Sequence, residues 1–280
     1  MKKRNTVFQH LDLYVRLSAQ MGVRLKKQKF FQHPDLYVRQ CAQMGVKMSK
    51  KELTLEQKKL DTDLWIIVIS TFIVFGIYMV FGNQMMSIVQ DDRISLFVRL
   101  FINAALQFGV AGLGITIVCI IRREKFSTYG LRKKGAFTAV LLSLLCFVPS
   151  FLFNLLTGEI KGYAPLSIII TKDILKGSLL VKILGMAVIA IVWGFFEGFN
   201  YAVICEKINR RYPPKNKWLD MGAVSCAIVC ILFHPFNTSI LGLLEIMTTG
   251  FLIYGMLVVK RHTNNAWGCV FTFLFLWNAF

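Results

Sequence analysis

The sequence predicts an all-α fold, a polytopic transmembrane helix bundle of about seven spans. Three observations carry this expectation. The chain is 55% hydrophobic, only 17% charged, and has a mean hydropathy of +0.56, a balance that soluble domains of this length rarely show. Several apolar runs reach the roughly 20 residues that a bilayer-crossing helix needs. The positive charge is confined to an N-terminal tail and to alternate linkers, which is the positive-inside pattern. The formal net charge of +18 therefore describes a basic cytoplasmic surface facing anionic lipid, and no nucleic-acid partner is expected.

Taken from the N-terminus, residues 1–62 form a basic cytoplasmic tail, and residues 63–280 the membrane bundle. The tail contains a duplication: "FQHLDLYVRLSAQMGVRLK" from Phe8 returns as "FQHPDLYVRQCAQMGVKMS" from Phe31, a period of 23 with 13 of 19 aligned positions identical. Two copies are too few for a solenoid. The simple reading is a tandem duplication of one short helix; the sharper one is a paired docking element. In the second copy His33-Pro34 suits a helix start and Gly45 its stop. Ser49 and Glu52 have capping-box spacing ahead of a charged helix that runs from about Lys50 toward the first span. The tail is long and polar without an early apolar core, so no cleavable signal peptide is expected.

The spans are placed at about 64–82, 96–121, 136–156, 179–205, 219–235, 238–259 and 265–280. The second linker, "RREKFSTYGLRKKG", and the fourth, "EKINRRYPPKNK", are strongly basic, and the sixth carries Lys260 and Arg261. This orients the N-terminus to the cytoplasm and the C-terminus outside, in a multi-pass protein of the cell membrane. The fifth connection, "PFNT", is very short and the last span ends at Phe280 without a polar tail; both suggest packed helix ends. Six of the seven cysteines lie in or beside apolar runs, where a free thiol behaves as a small hydrophobe.

Ionisable groups inside a membrane are functional candidates because their cost must be offset. Glu197 lies in span four, His234 at the end of span five, Glu245 in span six and Asn278 at the end of span seven. Lys182 and Arg99 sit nearer the outer surface, where snorkelling accounts for them. At the helical rise, Glu197 is roughly 14 Å deep and His234 and Asn278 roughly 20 Å deep, with Glu245 close to them, so all four can share one layer. A carboxylate desolvated among Phe195, Phe196 and Phe199 can act as a general base. An imidazole can share the water or bind a metal. An asparagine amide can donate to an oxyanion. That set can hydrolyse a carbonyl; it can equally be a structural polar knot between helices. Cys226, Cys230 and His234, spaced i, i+4, i+8, share a helix face and admit either a metal site or simple packing.

These residues resemble the CPBP intramembrane proteases, which include the CAAX prenyl endopeptidases and bacteriocin-processing or immunity proteins. The resemblance covers about residues 125–280. The family's motifs are EExxxR, FxxxH and HxxxN on successive helices. "FFEGFNYA" stands at the first, with Glu197 as the first glutamate, Gly198 for the second and Ala202 for the arginine. "CILFH" stands at the second, with His234 kept and Cys230 for the phenylalanine. "LFLWN" stands at the third, with Asn278 kept and Leu274 for the histidine. "YGLRKKG" and "TNNAWGCV" also resemble segments that flank the family's core helices.

The resemblance implies catalytic Glu197, His234 and Asn278, with Glu245, Asn200 and Cys230 as supporting candidates. The expected activity is endopeptidase cleavage of a membrane-associated or prenylated peptide by a glutamate-activated water. The cofactor stays open between a divalent metal such as zinc, for which His234 and Glu197 are the candidate ligands, and none. The losses at 198, 202 and 274 carry the alternative, an inactive relative acting as an immunity or interaction protein. A third reading, a proton-coupled transporter using Glu197 and Glu245, lacks the paired repeats and broken helices of such proteins.

Overall fold

A computed structural model describes residues 53–214, 216, 219–233, 238–277 and 279–280. The duplicated element, the Ser49–Glu52 capping box, His234 and Asn278 lie outside the described residues. Among the described residues the structure is all-helical. In chain order the elements are α1 (Leu55–Gln90), α2 (Leu96–Ala111), α3 (Leu113–Arg122), a short 3-10 helix (Phe126–Tyr129), α4 (Ala136–Thr157), α5 (Thr171–Lys176), α6 (Leu179–Ile189), a π-helical segment (Ala190–Phe196), α7 (Glu197–Arg211), α8 (Met221–Phe233), α9 (Ile240–Thr263) and α10 (Trp267–Phe275).

Helices occupy all seven expected stretches, but not all are long enough to cross a membrane. Four helices are: α1, α4, the continuous α6–π–α7 helix (Leu179–Arg211) and α9; α2 and α3 make a fifth if counted as one span bent by 59°. The described α8 has 13 residues and α10 has nine. The nine residues of α10 correspond to roughly 14 Å at the α-helical rise, short of a hydrocarbon core roughly 30 Å thick, and α8 is followed directly by residues outside the described ones. The edge-on contact between Phe233 and Phe75, with ring centroids 5.3 Å apart, puts the described end of α8 beside the middle of α1.

Local chemistry sets the element boundaries. Thr54 and Gln57 close a reciprocal capping box at the start of α1, so the helix begins before the first span and runs through it unbroken. The break between α2 and α3 falls at Gly112, where the Phe108 ring occupies the space a Cβ would need and Phe196 lies 3.0 Å from it. Ser239 caps α9 by accepting from the Gly242 amide at 3.1 Å.

The continuous helix through α7 is the centre of the bundle: α7 packs on α1, α2, α3, α8, α9 and α10. Its Phe199, Ala202, Val203 and Cys205 are buried in the largest apolar cluster together with Cys226, Met256, Leu257 and Val270. The outward faces of α1 and α4 carry exposed Phe72, Ile73, Val80, Phe137, Leu141 and Leu145. Such extensive apolar exposure on long helices is what a lipid solvent stabilises.

Ion pairs define the two ends of the bundle. At one end Lys207, fully buried, lies 2.9 Å from Asp63 and 3.0 Å from Glu124, while Arg122 pairs with Asp63 at 2.7 Å. Arg210 pairs with Glu56 at 3.0 Å and Arg211 with Asp61 at 2.5 Å. These contacts tie α7 to α1 and to the segment after α3. At the other end Arg99 is not a snorkelling side chain. Its side chain is 6% exposed and binds the Val89 carbonyl at 2.6 Å, Asp92 at 3.0 Å and Asp173 at 2.7 Å. The start of α2 is therefore fixed to the end of α1 and to α5. Phe280 packs there on Phe147, Phe151 and Tyr163, as the apolar chain end suggested.

Candidate functional site

Glu197 opens α7, directly after the π segment. A π segment inside an α-helix leaves the backbone ladder locally irregular, and such irregularities often occur at functional positions. Glu197 is partly buried, and its Oε2 accepts a hydrogen bond of 2.7 Å from the Gln107 side-chain amide on α2. Its Oε1 makes no hydrogen bond to a described residue.

The phenylalanines beside Glu197 in sequence pack on one another and on neighbouring rings. Phe195 stacks on Phe199 with centroids 5.3 Å apart, and Phe196 meets Phe108 edge-on at 4.9 Å. Phe126 from the 3-10 helix packs on Phe199 at 5.0 Å. The Phe108–Phe196 contact sits at the Gly112 bend, so the kink between α2 and α3 and the presentation of Gln107 belong to one arrangement.

One turn beyond Glu197, Tyr201 lies beside the Cys230 thiol of α8. Cys226 donates to the Tyr201 carbonyl at 3.7 Å. Tyr201 also stacks on Phe273 of α10, centroids 5.6 Å apart. The cysteine face of α8 thus docks on Tyr201. Cys230 comes within a helical turn of Glu197's level, and Asn200 is partly buried on the adjoining face of α7. Glu245 is exposed on α9, and its carboxylate has no hydrogen-bond or ion-pair partner among the described residues. How His234 and Asn278 sit relative to Glu197 lies outside the described residues.

Of the four positions that depart from the resembled motifs, 198, 202 and 274 are close-packed. A Cβ at Gly198, where the second glutamate would stand, would lie 2.7 Å from the Cys269 carbonyl oxygen and 3.0 Å from the Val270 Cα. The obstacle is α10 backbone, which cannot rotate aside. Ala202, in the arginine's place, is fully buried. Leu274, in the second histidine's place, fills the space over Gly194 in the π segment. Small residues on α7 and its π extension let α10 approach at backbone distance.

Among the described residues no three histidine, cysteine or acidic side chains come together as a metal-holding group. Near Glu197 the described candidate donors are the Gln107 amide and the Cys230 thiol; His234, the other candidate ligand, lies outside the described residues.

Sequence reasoning missed Gln107 and Tyr201. Gln107 had a signal: an amide within the apolar run "LFINAALQFGVAG" needs a partner as Glu197 does. Tyr201 had only its i+4 spacing from Glu197. Compared with family models, with curated proteins and with solved structures, the chain matches none.

Proposed function

We propose that this chain is a catalytically inactive relative of the CPBP intramembrane proteases, which holds a membrane-associated or lipidated peptide without cutting it, as an interaction or immunity protein. The observation that carries this reading is the packing at Gly198: the space for a second catalytic glutamate is taken by the backbone of α10. Buried Ala202 and the Leu274–Gly194 contact agree with it. Glu197 then serves as a polar staple between α7 and α2 through Gln107.

In this reading the protein is a multi-pass component of the cell membrane with seven crossings or partial crossings, the N-terminus cytoplasmic and the C-terminus external. The basic end formed by Lys207, Arg210, Arg211, Lys260 and Arg261 supports the cytoplasmic side.

A second reading is intramembrane hydrolysis, favoured by Glu197 itself. Its Oε1 is left without a described partner. There Glu197 would take a proton from water as its oxygen attacks the peptide carbonyl, Asn278 and His234 would steady the developing charge, and the C–N bond would break as Glu197 gave that proton to the leaving amine.

Binding of a fluorescent farnesylated peptide to the full chain in lipid nanodiscs separates the two. The first reading expects saturable binding that Glu197→Gln leaves within about twofold. No saturable binding by the wild-type protein would overturn it. Peptide shortening that Glu197→Gln abolishes would establish the second.

A further inference from the structure

The loop between the 3-10 helix and α4 presents three consecutive cations, Arg132, Lys133 and Lys134, all exposed. Six other described basic residues at this end of the bundle behave differently. Arg122, Lys207, Arg210, Arg211, Lys260 and Arg261 are each ion-paired with an acidic side chain. Arg132, Lys133 and Lys134 have no ion-pair partner among the described residues.

Their backbone is nonetheless fixed. The Asn265 side-chain amide, fully buried, donates to the Arg132 carbonyl at 2.7 Å and to the Lys134 carbonyl at 3.0 Å. The Asn265 side-chain oxygen accepts from the Trp267 amide at 2.9 Å, which locks the clamp to the start of α10. On the other flank the Ala266 amide donates to the Gly130 carbonyl at 2.9 Å. Gly130 has φ +100°, and a Cβ there would lie 3.0 Å from the Ala266 nitrogen, so only glycine suits the position. The segments "YGLRKKG" and "TNNAWGCV", separate in sequence, thus form one clamped unit.

The unit's position says what meets it. α4 follows at once, a membrane-length apolar helix. Phe137, Leu141, Leu145, Val148 and Leu152 form an exposed apolar stripe that begins at its first turn. Lipid chains along that stripe bring their headgroups level with the loop. A fixed group of unpaired cations at that level matches a phosphodiester headgroup in charge and height. We infer that Arg132, Lys133 and Lys134, held by Asn265, form a binding surface for anionic phospholipid at the mouth of α4.

The test uses the full chain purified in neutral detergent, titrated with phosphatidylglycerol or phosphatidylcholine and read by native mass spectrometry. Phosphatidylglycerol is expected to bind at least tenfold more tightly than phosphatidylcholine. R132Q/K133Q/K134Q is expected to lose most of that preference, and Asn265→Ala to weaken it several-fold with no change in charge. The comparison K58Q/K59Q/K125Q removes three exposed cations from the same end and is expected to leave the preference largely intact. Equal binding of the two lipids by the wild-type chain, measurable even if a variant fails to fold, would overturn the inference. An equal loss in both triple variants would overturn it too, since it would mean unlocalised charge attraction. Displacement of the lipid by an equal concentration of soluble glycerol phosphate would likewise contradict a lipid-surface site.

Discussion

Gln107 and Glu197 join α2 to α7 through one 2.7 Å hydrogen bond, placed where α2 gives way to the Gly112 bend and where the π segment gives way to α7. Removing the donor leaves a carboxylate oxygen in apolar surroundings without its partner. Such an orphaned group costs about 1–3 kcal/mol. Gln107→Leu is therefore expected to lower thermal stability in detergent by that amount. Glu197→Gln keeps an acceptor oxygen and is expected to stay within about 1 kcal/mol of wild type. A Gln107→Leu protein as stable as wild type would remove the staple.

The α7–α10 contact makes a second prediction. Gly198→Ala drives a methyl group into the Cys269 carbonyl and the Val270 Cα. Overpacking against backbone costs about 1–3 kcal/mol, and Gly198→Glu is expected to cost more. The check is thermal unfolding of both variants followed by light scattering. If Gly198→Glu folded normally and cleaved a lipidated peptide, α10 would have to move far more easily than its packing implies.

Lys207 is a fully buried cation, shared by Asp63 and Glu124 and lying 5.4 Å from the centroid of the Tyr129 ring. Removing one partner of a buried pair is strongly destabilising, by about 3–5 kcal/mol, because the remaining charge stays buried. Lys207→Met is expected to show that loss. Double mutation with Asp63→Asn should recover part of it, as a thermodynamic cycle will show.

Glu124 gives a pH prediction. Burial alone would raise its pKa, but hydrogen bonds from the Tyr129 hydroxyl and the Lys207 ammonium, with the charges of Lys207 and Arg210, outweigh burial and hold it below the ordinary carboxylate range. A group whose folded pKa is depressed adds stability above its unfolded pKa and loses it as pH falls through the folded value. Wild-type melting temperature is thus expected to fall on acidification below about pH 4.5, and Glu124→Gln to show a shallower fall. Parallel curves for the two proteins would exclude this contribution.

Much of the helix pattern was legible in sequence because apolar runs and basic linkers are local signals: the stretches placed at 136–156 and 238–259 coincide closely with α4 and α9. Span length was harder to read. The apolar stretch placed at 265–280 contains a helix of only nine residues, Trp267–Phe275, and periodicity does not say where within an apolar run the helix ends. The Gly112 bend depends on Phe108 and Phe196, which are far apart in sequence. In the site, Glu197 and its phenylalanines were visible as a charge in an apolar run. Gln107 was not, since a neutral amide raises no charge alarm and its partner is 90 residues away. Gly198 and Leu274 read as losses in one dimension; their packing against α10 and Gly194 exists only in three.

The most direct test of the central claim is the mass of a farnesylated peptide after prolonged incubation with the full chain in nanodiscs, run beside Glu197→Gln. The account predicts that the peptide is retained by both proteins and recovered at its original mass from both. Recovery of shorter products from the wild-type protein, and of intact peptide from Glu197→Gln, would contradict it and make Glu197 a catalytic base.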